Sequence, residues 1–110
     1  MQTEKKETYT LITNKQKTFS EFYDAFLIEE KKLQKENIIL HFSNESDVSS
    51  KEFLLFLDIA KQKKENGTSF VIVNSKIDID NFPESFNITP TLQEAEDIIE
   101  MEAIERELGF

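Results

Sequence analysis

The sequence predicts a single α/β domain in which a small mixed sheet is flanked by helices. Along its 110 residues, segments rich in β-branched and aromatic side chains alternate with amphipathic helical segments. Three motifs with the Ser/Thr-x-x-Glu spacing of a capping box each precede a predicted helix. Two prolines and the lack of a long linker favour one domain over residues 1–110, with the element order β-α-β-α-β-β-α.

The first half of the chain predicts a β-α-β unit. Residues 1–7 are polar and are expected to be frayed, and residues 8–13 form a strand. Thr18 and Glu21 make the first capping box, which opens a helix to about Lys35. Residues 38–42 are apolar except for His41, which is the pattern of a central strand covered on both faces.

The second half repeats this alternation. Ser49 and Glu52 make the second capping box, and the helix they open extends to about residue 65. Gly67 supplies the positive φ that ends a helix. Residues 70–73 are a second buried strand, and Ile88 forms a short last strand.

The terminal helix, residues 92–108, differs from the others in its charge. Residues 92–110 contain seven acids and one base, so they carry −6 of the net charge of −9. At about 100° per residue its apolar side chains fall into two stripes. The stripe that docks on the sheet is Leu92, Ala95, Ile99 and Ala103. The stripe without an obvious intramolecular partner is Ile98, Met101, Ile104 and Leu108.

We expect this second stripe, with Phe110, to contact another protein chain. Two alternatives stay open: the helix is sandwiched within the domain, or the tail is a solvated acidic face. Gly109 stands where a left-handed helix cap is usual.

Composition excludes several classes of function. Without cysteine the chain has no thiol nucleophile, disulfide or cysteine-held zinc, and His41 alone cannot build a multi-histidine metal centre. The acidic balance disfavours nucleic acid and anionic lipid. The segment around Asp78 and Asp80 does not fit a calcium-binding loop, because it lacks the glycine and the bidentate glutamate that such a loop requires. We therefore expect a cytoplasmic protein that is not an enzyme, with no metal, no cofactor and no membrane span.

Residues 40–73 resemble the STAS domain, the fold of bacterial anti-sigma factor antagonists. In that family a buried strand leads to an Asp-Ser-x-Gly element that opens a helix, and a glycine-containing turn precedes the next strand. In gapless register Ser49 stands at the family's aspartate, Ser50 at its phosphorylatable serine and Glu52 at its glycine. The tail from Pro90 onward resembles the ending of small flavobacterial STAS-like proteins, a group often labelled ribonuclease Z.

The resemblance implies a non-catalytic interaction or regulatory module, whose partner is a kinase-like anti-sigma factor or another regulator. Phosphate on Ser50, or on Ser49, would meet the free amides of a helix N-terminus, whereas the alternative is that both serines only cap the helix. The expected contact residues near this helix are Asp47, Lys51 and Glu52. A constitutive structural or dimerisation accessory, with a homodimer, is the main alternative function. An RNA-processing enzyme is less favoured, because ribonuclease Z holds its metals with several histidines.

Overall fold

A computed structural model describes residues 1–15, 18–42, 49–76 and 86–109. Five strands in these ranges form one mixed sheet in the order β1-β2-β3-β4-β5. β2 to β5 run parallel, and β1 pairs antiparallel with β2. The strands are β1 (Gln2–Lys5), β2 (Thr10–Thr13), β3 (Ile38–His41), β4 (Phe70–Val73) and β5 (Ile88–Thr89). The predicted α/β class with a mixed sheet is confirmed.

Helices cover both faces of the sheet. They are α1 (Phe19–Glu30), α2 (Ser50–Phe53), a 3₁₀ turn (Leu54–Phe56), α3 (Leu57–Glu65) and α4 (Leu92–Glu107). Side chains of α1, α2 and α3 pack into one apolar cluster, and those of α4 pack into a second cluster. Because neighbouring residues of a strand point to opposite faces, the two clusters lie on opposite sides of the sheet. Among the described residues, no helix is both long and apolar enough to span a membrane.

The larger cluster is built from phenylalanine. Phe42 follows β3 and packs edge-on against Phe22 of α1 and Phe53 of α2, with ring centroids 5.2 and 5.0 Å apart. Phe26 and Phe56 meet in the same way at 5.3 Å. Edge-to-face pairs at these distances add to the stabilisation that burial alone provides. This aromatic layer holds α1 and α2 in place.

The smaller cluster lies under α4. Ala95 and Ile99 of the helix cover Ile39 of β3 and Val71 and Val73 of β4. Ile38 and Leu40 belong to the phenylalanine cluster instead. β3 is therefore buried on both faces, as its continuous apolar run predicts.

The N-terminus differs from expectation. Gln2–Lys5 form β1 rather than a frayed end, and a turn closed by the Lys6 amide on the Tyr9 carbonyl, at 2.8 Å, joins β1 to β2. All four β1 side chains are exposed. A strand held by backbone hydrogen bonds, with no apolar side chain, leaves no periodic pattern in the sequence.

α1 ends at Glu30, before the predicted limit near Lys35. The chain then continues in tight turns, in which the Leu33 amide donates to the Glu30 carbonyl. The buried Lys63 ammonium donates to the carbonyls of Leu33 and Glu36, each at 2.7 Å. Burial lowers the pKa of Lys63, and the charge of the nearby Glu30 carboxylate opposes that effect. A contact from α3 therefore holds the turns that follow α1.

The second predicted helix is not continuous. A 3₁₀ turn separates α2 from α3, while Phe53, Phe56 and Ile59 all point into the phenylalanine cluster. A 3₁₀ turn has three residues per turn, so it aligns side chains spaced three apart. That spacing fits an α-helix nearly as well, and the sequence pattern alone does not reveal the break.

Candidate interaction surface

The inner face of α4 is docked on the sheet through three residues of its predicted stripe, Leu92, Ala95 and Ile99, while the fourth, Ala103, is half-buried and outside the cluster. The Thr91 hydroxyl caps the helix by accepting from the Glu94 amide at 3.2 Å, which is the hydroxyl half of the predicted third capping box. Ala95 and Ile99 are buried, and Leu92 packs against their cluster. Gly109 ends the segment with φ +83, the left-handed cap expected there.

Three side-chain hydrogen bonds fasten the same face of α4. The bonds run from Tyr9 Oη to Glu96 Oε2 at 2.8 Å, from Asn87 Nδ2 to Glu102 Oε2 at 2.9 Å, and from Arg106 Nη1 to Ser69 Oγ at 3.3 Å. Burial and the bond to Glu96 raise the pKa of the Tyr9 hydroxyl to about 12. These anchors hold the helix at both ends and fix its rotation about its axis.

Sequence reasoning missed these polar anchors. Glu102 and Arg106 follow Ala95 and Ile99 at helical spacing, so all four lie on the inward face. The signal in the sequence is Arg106, which is the one base of an acid-rich helix and lies on the same face as the apolar residues Ala95 and Ile99. A base at that position indicates a polar contact with the sheet.

The outer face of α4 carries large apolar side chains in water. Met101, Ile104 and Leu108 are 58%, 52% and 66% exposed. Their spacing of three and four residues aligns them on the side of the helix opposite Ala95 and Ile99. We call these three residues the α4 stripe. The fourth predicted member, Ile98, departs from expectation because it is half-buried and packs against the smaller cluster. Phe110 lies outside the described residues.

Carboxylates surround the α4 stripe. Five acids of the helix are exposed: Glu94, Asp97, Glu100, Glu105 and Glu107. Arg106, the single base of residues 92–109, is half-buried and bonded to Ser69. The ion pairs found in the described part of the chain are Lys5–Glu36, Lys6–Glu4 and Lys32–Glu29, so none lies on α4.

The second candidate region is the start of α2. The Glu52 amide donates to Ser49 Oγ at 3.2 Å, while the Ser49 amide and hydroxyl donate to Glu52 Oε1 at 3.0 and 3.1 Å. This reciprocal arrangement is the predicted capping box. Lys51 is exposed. Asp47 and the side chain of Ser50 lie outside what the structure describes.

The two candidate regions do not come together. Phe53 of α2 packs into the phenylalanine cluster, whereas α4 packs on the opposite face of the sheet. The Ser49 cap and the α4 stripe are therefore separate surfaces rather than one continuous contact area.

His41 ends β3 and is half-buried. Across the four described ranges, no cluster of three or more potential metal-ligating side chains occurs. The Asp78 and Asp80 segment lies outside these ranges.

Comparison of the chain with protein-family models and with curated proteins found no match. The α4 stripe and the Ser49 cap are therefore the features from which a function is inferred.

Proposed function

We propose that this chain is a non-catalytic protein-interaction module of the STAS type, which works in the cytoplasm and binds a protein partner through the α4 stripe. The observation that carries the proposal is the contrast between the two faces of α4. One face is fastened by buried Ala95 and Ile99 and by three hydrogen bonds, while the other exposes three aligned apolar side chains.

The alignment matters more than the exposure of any single residue. Isolated exposed apolar side chains are common on protein surfaces and need no explanation. Met101, Ile104 and Leu108, however, stand at i, i+3 and i+7 on one helix, the spacing of anchors that enter a partner's groove. The fastened inner face leaves α4 no freedom to turn this stripe inward.

The STAS part of the proposal is supported by the order of the elements and by the serine pair that opens a helix after β3. In this proposal the start of α2 is a second, separate contact surface for the partner, and phosphate on Ser50 gates exchange of the partner there. Glu52 already accepts two bonds from Ser49, so a phosphate in the same helical turn would repel that carboxylate and loosen the cap. The partner would then be a kinase-like anti-sigma factor or another regulator.

Affinity capture from the native cell tests the proposal. The baits are the wild-type chain, a stripe variant (Met101→Gln with Leu108→Gln) and a control variant (Ile28→Gln with Leu55→Gln). Ile28 and Leu55 are large apolar residues that are 64% and 51% exposed, similar to Met101 and Leu108. They lie outside α4 and therefore serve as a matched control. Glutamine preserves charge and has a helix propensity close to that of Met and Leu.

We expect the wild type and the control variant to recover the same protein and the stripe variant to lose it. Equal recovery by all three baits would contradict the proposal. A homodimer in light scattering that dissociates in the stripe variant would instead support the constitutive dimerisation accessory. Ser50→Asp compared with Ser50→Ala in the same capture tests the switch, and identical recovery would remove the phosphate from the proposal.

A further inference from the structure

The surroundings of the α4 stripe indicate the chemistry of what covers it. On the helix, Asp97 and Glu94 continue the line of the stripe toward the N-terminus, and Glu100 and Glu105 flank it on either side. All four carboxylates are exposed. The apolar strip is therefore bounded by negative charge on both sides.

No cation on α4 balances these charges at the surface. Arg106 is turned toward Ser69 on the sheet side. Glu105 and Glu107 stand in the last turn, where the helix dipole adds partial negative charge of its own. The exposed face of α4 is thus negative along its length and most strongly so near Leu108.

We propose that the α4 stripe binds a basic amphipathic segment of another protein, one with apolar side chains flanked by lysine or arginine. This inference rests on the proposed function and names the class of partner. Apolar anchors would fill the space over Met101, Ile104 and Leu108, and the flanking cations would pair with the surrounding carboxylates.

A second copy of this chain fits the surface less well. Two α4 stripes placed face to face would bring both sets of five exposed carboxylates into one interface. Like charges placed together at an interface oppose association, so homotypic pairing lacks charge complementarity. A nucleic acid or an anionic lipid surface would meet the same repulsion.

Binding of three designed peptides to the full chain, followed by fluorescence anisotropy, tests the inference. The lysine–leucine peptide is an amphipathic helix with leucines at i, i+3 and i+7 and lysines beside them. The glutamate–leucine peptide replaces each lysine, and the lysine–serine peptide replaces each leucine. Together they separate the apolar contribution from the electrostatic one.

We expect the lysine–leucine peptide to bind and each of the other two to bind at least about tenfold more weakly. Raising the salt from about 50 to about 300 mM weakens binding of the lysine–leucine peptide about fivefold, because the paired charges are partly screened. No binding of this peptide at millimolar concentration overturns the inference. Equal binding of the glutamate–leucine peptide overturns the electrostatic part, and equal binding of the lysine–serine peptide overturns the apolar part.

Matched variants locate the binding site. Neutralising two acids beside the stripe, Glu100→Gln with Glu105→Gln, should lower the affinity for the lysine–leucine peptide at least about threefold. Neutralising two exposed acids elsewhere, Asp24→Asn with Glu65→Gln, changes the net charge equally and should leave the affinity within about twofold. Equal losses in both variants would show nonspecific attraction to the acidic chain and would contradict the inference.

The outcomes also separate this inference from the proposed function. Capture of a partner that depends on the α4 stripe, without binding of the lysine–leucine peptide, refutes the basic segment and leaves the interaction module standing. Capture that does not depend on the stripe refutes both. Sedimentation that shows a dimer lost in the stripe variant assigns the surface to a second copy and overturns the inference.

Discussion

Replacing residues on opposite faces of α4 should have very different effects on stability. Ile99 is 2% exposed and packs against Val71 and Val73, so Ile99→Ala removes buried methyl groups and leaves a cavity. Substitutions of this kind cost about 3 kcal/mol. With a urea slope of about 1.5 kcal/mol/M, the unfolding midpoint should fall by about 2 M.

The stripe variant should unfold close to the wild type. Met101 and Leu108 already expose more than half of their surface, so folding gains less than about 1 kcal/mol from each. The two losses together stay below about 2 kcal/mol, so we expect the double substitution to lower the urea midpoint by less than about 1.3 M, with an unchanged slope. A loss equal to that of Ile99→Ala would show that the α4 stripe is packed in the folded state and would refute its assignment as a free surface.

Three further substitutions, each followed by urea unfolding, test polar contacts that stabilise the fold. Tyr9→Phe removes the bond to Glu96 and should cost about 1–2 kcal/mol at pH 8. The pKa of the Tyr9 hydroxyl is raised to about 12 in the fold, so its contribution to the free energy of unfolding is present below pH 10 and is lost as the pH rises toward 12. Only the wild type should therefore show this part of the loss of stability at alkaline pH. Parallel stability–pH profiles for the wild type and Tyr9→Phe would contradict this expectation. Lys63→Met should cost about 2 kcal/mol, because two carbonyls lose their donor, and no loss would show that those carbonyls find other partners. Ser49→Ala should cost about 1 kcal/mol through the lost cap of α2, and an unchanged midpoint would mean that this cap does not stabilise the fold.

Local signals in the sequence predicted much of this fold. The hydroxyls of Thr18, Ser49 and Thr91 cap the helices they were expected to open. Residues 70–73 form the buried strand that their apolar run indicates. Gly67 adopts a φ of +78 after α3, as a helix-ending glycine should. Each of these features depends on chemistry within a few residues of chain.

Features set by distant contacts were not predicted. β1 depends on backbone pairing with β2, and its four polar side chains give no pattern. The turns that follow α1 are held by Lys63, thirty residues from the Leu33 carbonyl it binds. The sequence does not distinguish Lys63, whose ammonium is buried, from a lysine whose ammonium is in water, because the side chain is the same in both cases.

The candidate surface was predicted in part for the same reason. Helical geometry alone separates Met101, Ile104 and Leu108 from the docked stripe, and their exposure agrees with that separation. The half-buried position of Ile98 was not foreseen, because it depends on where α4 crosses the sheet. The separation of the Ser49 cap from the α4 stripe also depends on the packing of helices on opposite faces.

Methyl NMR of the chain titrated with the lysine–leucine peptide tests the central claim most directly. The three residues of the α4 stripe all carry methyl groups, and Ile28 and Leu55 provide exposed methyl groups on other elements. We expect the methyl signals of Met101, Ile104 and Leu108 to shift together with one dissociation constant, while those of Ile28 and Leu55 stay in place. Shifts centred on residues outside α4, or none at all, would contradict the claim that this helix presents the binding surface.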